Sequence, residues 1–160
     1  MVMNNKLIIP FVFLLAIIVI SCNNSNQQSD VKASPSNVFA SLDYDMVIAY
    51  KYNGEGDNEI IDKEGKLIET IEKQVTLNKN QMLRLTNALC DKSTYGGDIA
   101  ACFDPHFGIV FYKKNKPVAY ISICLDCNYL ISSIKIPGDG GFSDDGVKEI
   151  VDFEKELKFM

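Results

Sequence analysis

The spacing of hydrophobic positions changes several times along this chain, and each change predicts an element. One basic residue, Lys6, precedes an apolar run from Leu7 to Ile20, followed by Ser21-Cys22. The run is shorter than the roughly 20 residues a spanning helix needs, so it predicts an export signal over residues 1–21. A permanent membrane anchor and an ordinary secretory signal are the rival readings. From Asn23 to Asn37 (NNSNQQSDVKASPSN) the chain is almost wholly polar, with too little apolar surface to offset the entropy of ordering it. Residues 22–37 therefore read as a flexible tether with a reach of roughly 20 Å.

Residues 38–160 carry readable periodicity. Met46 to Tyr52 (MVIAYKY) is rich in strand formers, and Gly54 to Asn58 breaks it. A short run from Glu59 to Ile61 meets the turn Asp62-Lys63-Glu64-Gly65, and Lys66 to Ile71 follows. These predict an antiparallel meander, with Gly65 supplying the positive φ of a tight turn. Leu77 to Leu89 switches to helical spacing through Met82, Leu85 and Leu89. Asn78 and Gln81 have the spacing of a capping box, and Leu77 and Met82 that of a hydrophobic staple.

Phe107 to Tyr112, the polar tip Lys113 to Lys116, and Pro117 to Leu125 read as a hairpin. Pro117 lacks an N–H and belongs at a strand start or an edge. Alternation puts Ala119, Ile121 and Ile123 on one apolar face, and Tyr120, Ser122 and Cys124 on the other. A further run, Tyr129 to Ile136, leads through the loop Pro137 to Gly141 into a closing helix. Ser143 is its N-cap, Asp144 and Asp145 suit its first turn, and Lys155 and Lys158 suit its end. Val147, Ile150, Val151 and Leu157 are its expected buried stripe. The loop GDGGFSDDG is acidic and glycine-rich, but it lacks the alternating carboxylates and closing Glu of a calcium loop. The expected fold is α+β: an antiparallel sheet of about five or six strands with two packed helices, in a single domain over residues 38–160.

Charge narrows the partners. Without residues 1–21 the chain keeps 139 residues, enough for one core, with 15 basic and 21 acidic residues and a net charge of −6. A balance so acidic offers no footprint for nucleic acid.

Cysteine carries the candidate chemistry. Val19-Ile20-Ser21-Cys22 resembles the bacterial lipoprotein pattern of aliphatic, variable, small, Cys, in which the Cys22 thiol accepts a diacylglyceryl group. Each buried acyl CH₂ adds about 0.8 kcal/mol of membrane affinity, so several chains, palmitate among them, anchor the protein to the cell envelope. Asn24 stands where Asp would signal inner-membrane retention, which favours the outer membrane over the inner.

Cys90, Cys102, Cys124 and Cys127 remain, an even number that makes all four disulfide candidates, with three connectivities. If Lys113 pairs with Lys116, paired positions sum to 229. That sets Ile109 against Tyr120, Pro105 against Cys124 and Cys102 against Cys127, so three cysteines gather at one hairpin base. One or two disulfides tying that base to its neighbours is the plainest reading. Cys124-Leu125-Asp126-Cys127 is also a CxxC, although it ends a strand where a thioredoxin-like motif opens a helix. Cys102, His106, Cys124 and Cys127 are the residue types of a zinc site. Cys102 with His106 as base would be a nucleophile pair, but no oxyanion donor is visible. His106 is the one histidine, and no HExxH, GxSxG or complete GxGxxG pattern accompanies it. A hydrolase built on paired carboxylates has no particular pair pointing to it.

Cys102-Phe103-Asp104-Pro105, Gly108 to Tyr112 and Ile123 to Cys127 together resemble a family of small uncharacterised bacterial lipoproteins and secreted proteins. Its pattern is Cys-x-x-Pro, a hairpin ending in Phe-Tyr, and Ile-Cys-x-x-Cys. The resemblance covers roughly residues 80 to 157 and implies no activity. Members commonly follow the Pro with Arg-His, where this chain has His106-Phe107. The expected function is a lipid-anchored, non-enzymatic binding or structural module of the envelope with a protein partner and no cofactor. The alternative is a thiol-redox or zinc protein working through Cys102, Cys124 and Cys127.

Overall fold

Strand β4 (Phe107–Lys113) is apolar at nearly every position, so both of its faces need cover, and the fold is organised around supplying it. The structure is a computed structural model that describes Lys32, residues 37–138 and residues 140–160. The expected signal 1–21, Cys22 and all of the tether except Lys32 and Asn37 lie outside the described residues, as does Asp139.

The chain is α+β. Strands β1 (Met46–Tyr52) and β2 (Ile71–Thr76) precede helix α1 (Lys79–Cys90) and a short β3 (Tyr95–Gly97). Then come β4, β5 (Lys116–Cys124), β6 (Tyr129–Ser132), the short β7 (Gly141–Phe142) and helix α2 (Asp144–Glu156). The main sheet is antiparallel, in the order β2-β1-β4-β5-β6, and β3 pairs with β7 in a separate two-stranded sheet that periodicity did not predict.

One face of the main sheet presents Val47, Ala49, Phe107, Ile109, Phe111, Ala119, Ile121 and Ile123. Met82, Leu85 and Leu89 of α1 pack into the same core, as do Ile150 and Phe153 of α2. The expected α2 stripe needs correcting, because Val151 is only half-buried whereas Gly146, Ile150, Phe153 and Glu154 are buried. Gly146, Ile150, Phe153 and Leu157 lie at helical spacing, and Val151 sits to the side of that line.

Segment 53–70 covers the opposite face, and the meander expected there is not formed. Instead of two strands at Glu59–Ile61 and Lys66–Ile71 there is one isolated bridge, Ile61 with Leu67, and the strand beside β1 is Ile71–Thr76. Local polar groups divert the backbone. The Ile60 N–H donates to Ser122 Oγ at 2.9 Å, and Asp62 Oδ1 accepts from the Glu64 and Lys66 N–H groups at 3.0 and 2.7 Å. Ile60 and Ile61 then bury against Tyr50, Tyr52, Val110 and Tyr112. Gly108 permits this close approach, since a Cβ there would stand 2.7 Å from Ile60 Cγ1. Gly65 has φ +78°, as its turn requires.

The β4–β5 hairpin turns at Lys114 and Asn115, both with positive φ, and Lys113 pairs with Lys116 as expected. Beyond the tip the register shifts by one. Tyr112 pairs with Pro117 but Phe111 pairs with Ala119, so Val118 is an extra residue and Ile109 faces Ile121, not Tyr120. The bulge sits where Pro117 cannot donate to the ladder, and it brings apolar side chains opposite one another. The expected run Tyr129–Ile136 is shorter, ending as β6 at Ser132.

Both expected caps form. Asn78 Oδ1 accepts the Gln81 N–H at 2.9 Å while Gln81 Oε1 accepts the Asn78 N–H at 3.1 Å, and Ser143 Oγ accepts from Gly146. Asn78→Ala is expected to cost about 1 kcal/mol, read from the midpoint of urea unfolding. A change within error would show that the box adds nothing to the packing of α1. Asn37, expected to end the tether, belongs instead to the folded body. It is buried, accepts the Phe39 N–H at 3.0 Å, and donates to Thr86 Oγ1 at 2.8 Å and Asn87 Oδ1 at 2.7 Å.

Candidate functional site

Three cysteines meet where β5 ends. Cys124 is the last residue of β5, and the turn after it reverses through Asn128 at φ 52°, closed by an Asn128 N–H to Leu125 C=O bond of 3.0 Å. This turn returns Cys127 to Cys124, and their sulfurs stand at disulfide distance. Both cysteines are buried, under Phe103. The Phe103 ring meets Tyr129 edge-on with centroids 5.6 Å apart.

Cys102 arrives from the loop before β4. The Ala100 N–H donates to the Cys127 carbonyl at 3.0 Å, which lays this loop along the turn. Asn128 holds the other side: its Nδ2 donates to the carbonyls of Asp98 and Phe142 at 2.9 Å each, and its Oδ1 accepts the Phe142 N–H at 3.1 Å. Cys102 is consequently exposed, with its Sγ 2.7 Å from Cys127 Sγ. The pairing of Cys102 with Cys127 expected from hairpin arithmetic is thus met in space despite the bulge, because a loop rather than a strand carries Cys102. Pro105 does not pair with Cys124, since β4 begins at Phe107 and the His106 N–H donates to the Ile123 carbonyl.

Two backbone donors point at these sulfurs. The Cys127 N–H donates to Cys124 Sγ at 3.1 Å, and the Asp104 N–H donates to Cys127 Sγ at 3.4 Å. Donors so placed favour negative charge on sulfur. Asn128, which secures the whole arrangement, was not singled out by sequence. The only local signal was an Asn directly after a CxxC, a residue type that tolerates positive φ.

The chain matches no family model, no curated protein and no solved structure.

The other candidates lie apart from this cluster. Cys90 ends α1 inside the helix-side core, where burial raises its thiol pKa, and its Sγ is 4.0 Å from Asn37 Oδ1. His106 directly precedes β4, with Nδ1 3.2 Å from the Tyr52 carbonyl. Among the described residues no group of three or more His, Cys, Asp or Glu is placed to hold a metal ion. One titratable group was missed by sequence. Glu154 is buried on α2, and burial, only partly offset by Lys51 and His106, pushes its carboxyl up to about 7.

Proposed function

We propose that this protein is a lipid-anchored domain of the bacterial cell envelope that serves as a non-enzymatic binding or structural module for a protein partner. The anchor reading rests on Lys6, the apolar run to Ile20 and the Val19-Ile20-Ser21-Cys22 tail. The family resemblance through Cys102 to Pro105 and Ile123 to Cys127 points to the same setting. One observation carries the non-enzymatic part: His106, the single histidine, has its Nδ1 against the Tyr52 carbonyl, as a structural residue would. Polar side chains on β1, β4 and β5 have similar roles, Ser122 accepting the Ile60 N–H and Tyr50 bonding Tyr112 through their hydroxyls at 2.7 Å.

Attachment suits the way the chain enters the fold. The polar stretch after Cys22 leads to Asn37, whose buried bonds to α1 make a firm junction between tether and domain. Among the described residues, which do not include the apolar run Leu7 to Ile20, no helix is long and apolar enough to cross a membrane; the acyl chains on Cys22 are the attachment proposed here. Cys22→Ser is expected to abolish incorporation of labelled palmitate and to move the protein from the membrane fraction to the soluble fraction. Unchanged labelling and partitioning would overturn the reading.

A further inference from the structure

We propose that Cys102, Cys124 and Cys127 form a three-sulfur exchange site in which one disulfide passes between Cys124–Cys127 and Cys102–Cys127, giving solvent thiols access to an otherwise buried bridge. The geometry that carries this is the position of Cys102. It is exposed, it lies outside the disulfide, and its Sγ is adjacent to Cys127 Sγ, at 2.7 Å. Exchange needs a thiolate beside a disulfide sulfur and a stabilised leaving thiolate. Both are present.

The step balances without an oxidant or reductant. Cys102 gives its proton to solvent, and its thiolate attacks Cys127 Sγ. A Cys102–Cys127 bond forms as the Cys124–Cys127 bond breaks, and the electron pair leaves on Cys124 Sγ, where a proton from solvent neutralises it. The Cys127 N–H already bonds to that leaving sulfur at 3.1 Å. One disulfide and one thiol exist before and after.

What changes is accessibility. Cys124 and Cys127 are buried, so their bridge is shielded, whereas a Cys102–Cys127 bridge ends on a surface sulfur. A small thiol R–SH, as its thiolate, can attack Cys102 there. A mixed disulfide forms on Cys102 and the electron pair leaves on Cys127 Sγ, toward which the Asp104 N–H is directed. The substrate class is therefore a solvent thiol, and the point of capture is Cys102. Asn128 and the Ala100 bond act as positioning elements, since they hold the two loops at this separation.

The test is disulfide mapping of the oxidised full-length chain in detergent. Samples are acid-quenched, alkylated in denaturant and digested without reduction. Molecules bridged Cys124–Cys127 and molecules bridged Cys102–Cys127 are both expected, with the third cysteine alkylated. Brief treatment with glutathione should place the adduct on Cys102, and the adduct should be lost in Cys102→Ser. Cys124→Ser should still form a disulfide, between Cys102 and Cys127. The proposal is overturned if Cys102 is never bridged in the wild type, if glutathione is found on Cys124 or Cys127, or if folded Cys124→Ser keeps both Cys102 and Cys127 as free thiols. Should Cys124→Ser fail to fold, the wild-type map decides alone. None of these readouts depends on Cys22, so failure here is distinct from failure of the anchor.

Discussion

Replacement of Phe111 by alanine is expected to destabilise the domain by about 3–5 kcal/mol, the range for emptying a fully buried aromatic site. Phe111 has no exposed surface and lies on β4, between β1 and β5 in the main sheet. Its ring stacks on Phe39 with centroids 5.1 Å apart and planes 9° from parallel, and Tyr44 meets it edge-on at 5.2 Å. Phe39 belongs to a 3-10 turn, Val38–Ser41, at the start of the folded body, so the cavity would also loosen the junction that Asn37 makes with α1. The usual total stability is about 5–15 kcal/mol, of which this is a large share. Urea unfolding of Phe111→Ala should show a much lower midpoint with an unchanged slope, and Phe111→Leu should lose less. A loss below about 1 kcal/mol would mean that the Phe39–Phe111–Tyr44 stack is not part of the cooperative core.

A comparably large effect, of opposite sign, is expected at Glu154. Burial holds its carboxyl at about 7, against an ordinary value of 4.5. The sign follows from proton counts. Between these values the folded chain keeps the proton and the unfolded chain has released it, so stability falls as pH rises from about 4.5 to about 7 and is then level. A difference of that size corresponds to about 3 kcal/mol at neutral pH and above. Glu154→Gln keeps the shape without the charge, so it should be more stable than the wild type by up to about 3 kcal/mol at pH 8 and should match it near pH 4. Lys51 and His106, the groups that partly offset burial, set how much of that gain is realised. Equal pH profiles for the two proteins would show that the Glu154 carboxyl is solvated in the folded state.

The elements that were legible from sequence are those whose signal is local. The capping box at Asn78 and Gln81, the cap at Ser143, the left-handed turn at Gly65 and the strand Met46–Tyr52 depend on a few adjacent residues, and each appears as expected. The hairpin tip was legible for the same reason. Its register was not, because Val118 is extruded to match apolar residues across strands, a preference set by what lies opposite. The short runs Glu59–Ile61 and Lys66–Ile71 read as strands, but the bare second face of β1 and β4 draws Ile60 and Ile61 over it, and Ser122, 62 residues from Ile60, takes the backbone donor. The edge strand Ile71–Thr76 was missed because only Ile71 and Val75 carry apolar signal in it.

The cysteine cluster divides the same way. Sequence by itself determined the α+β class and that Cys102, Cys124 and Cys127 converge, since hairpin pairing brings the segments before and after it together. Only the tertiary structure decided that Cys124 and Cys127 stand at disulfide distance while Cys102 stays at the surface, that Cys90 is buried elsewhere, and that His106 turns to the Tyr52 carbonyl. The physical reason is that a side chain's partner depends on loop paths held by long-range bonds, here those of Asn128 and Ala100, which leave no periodic trace in the sequence.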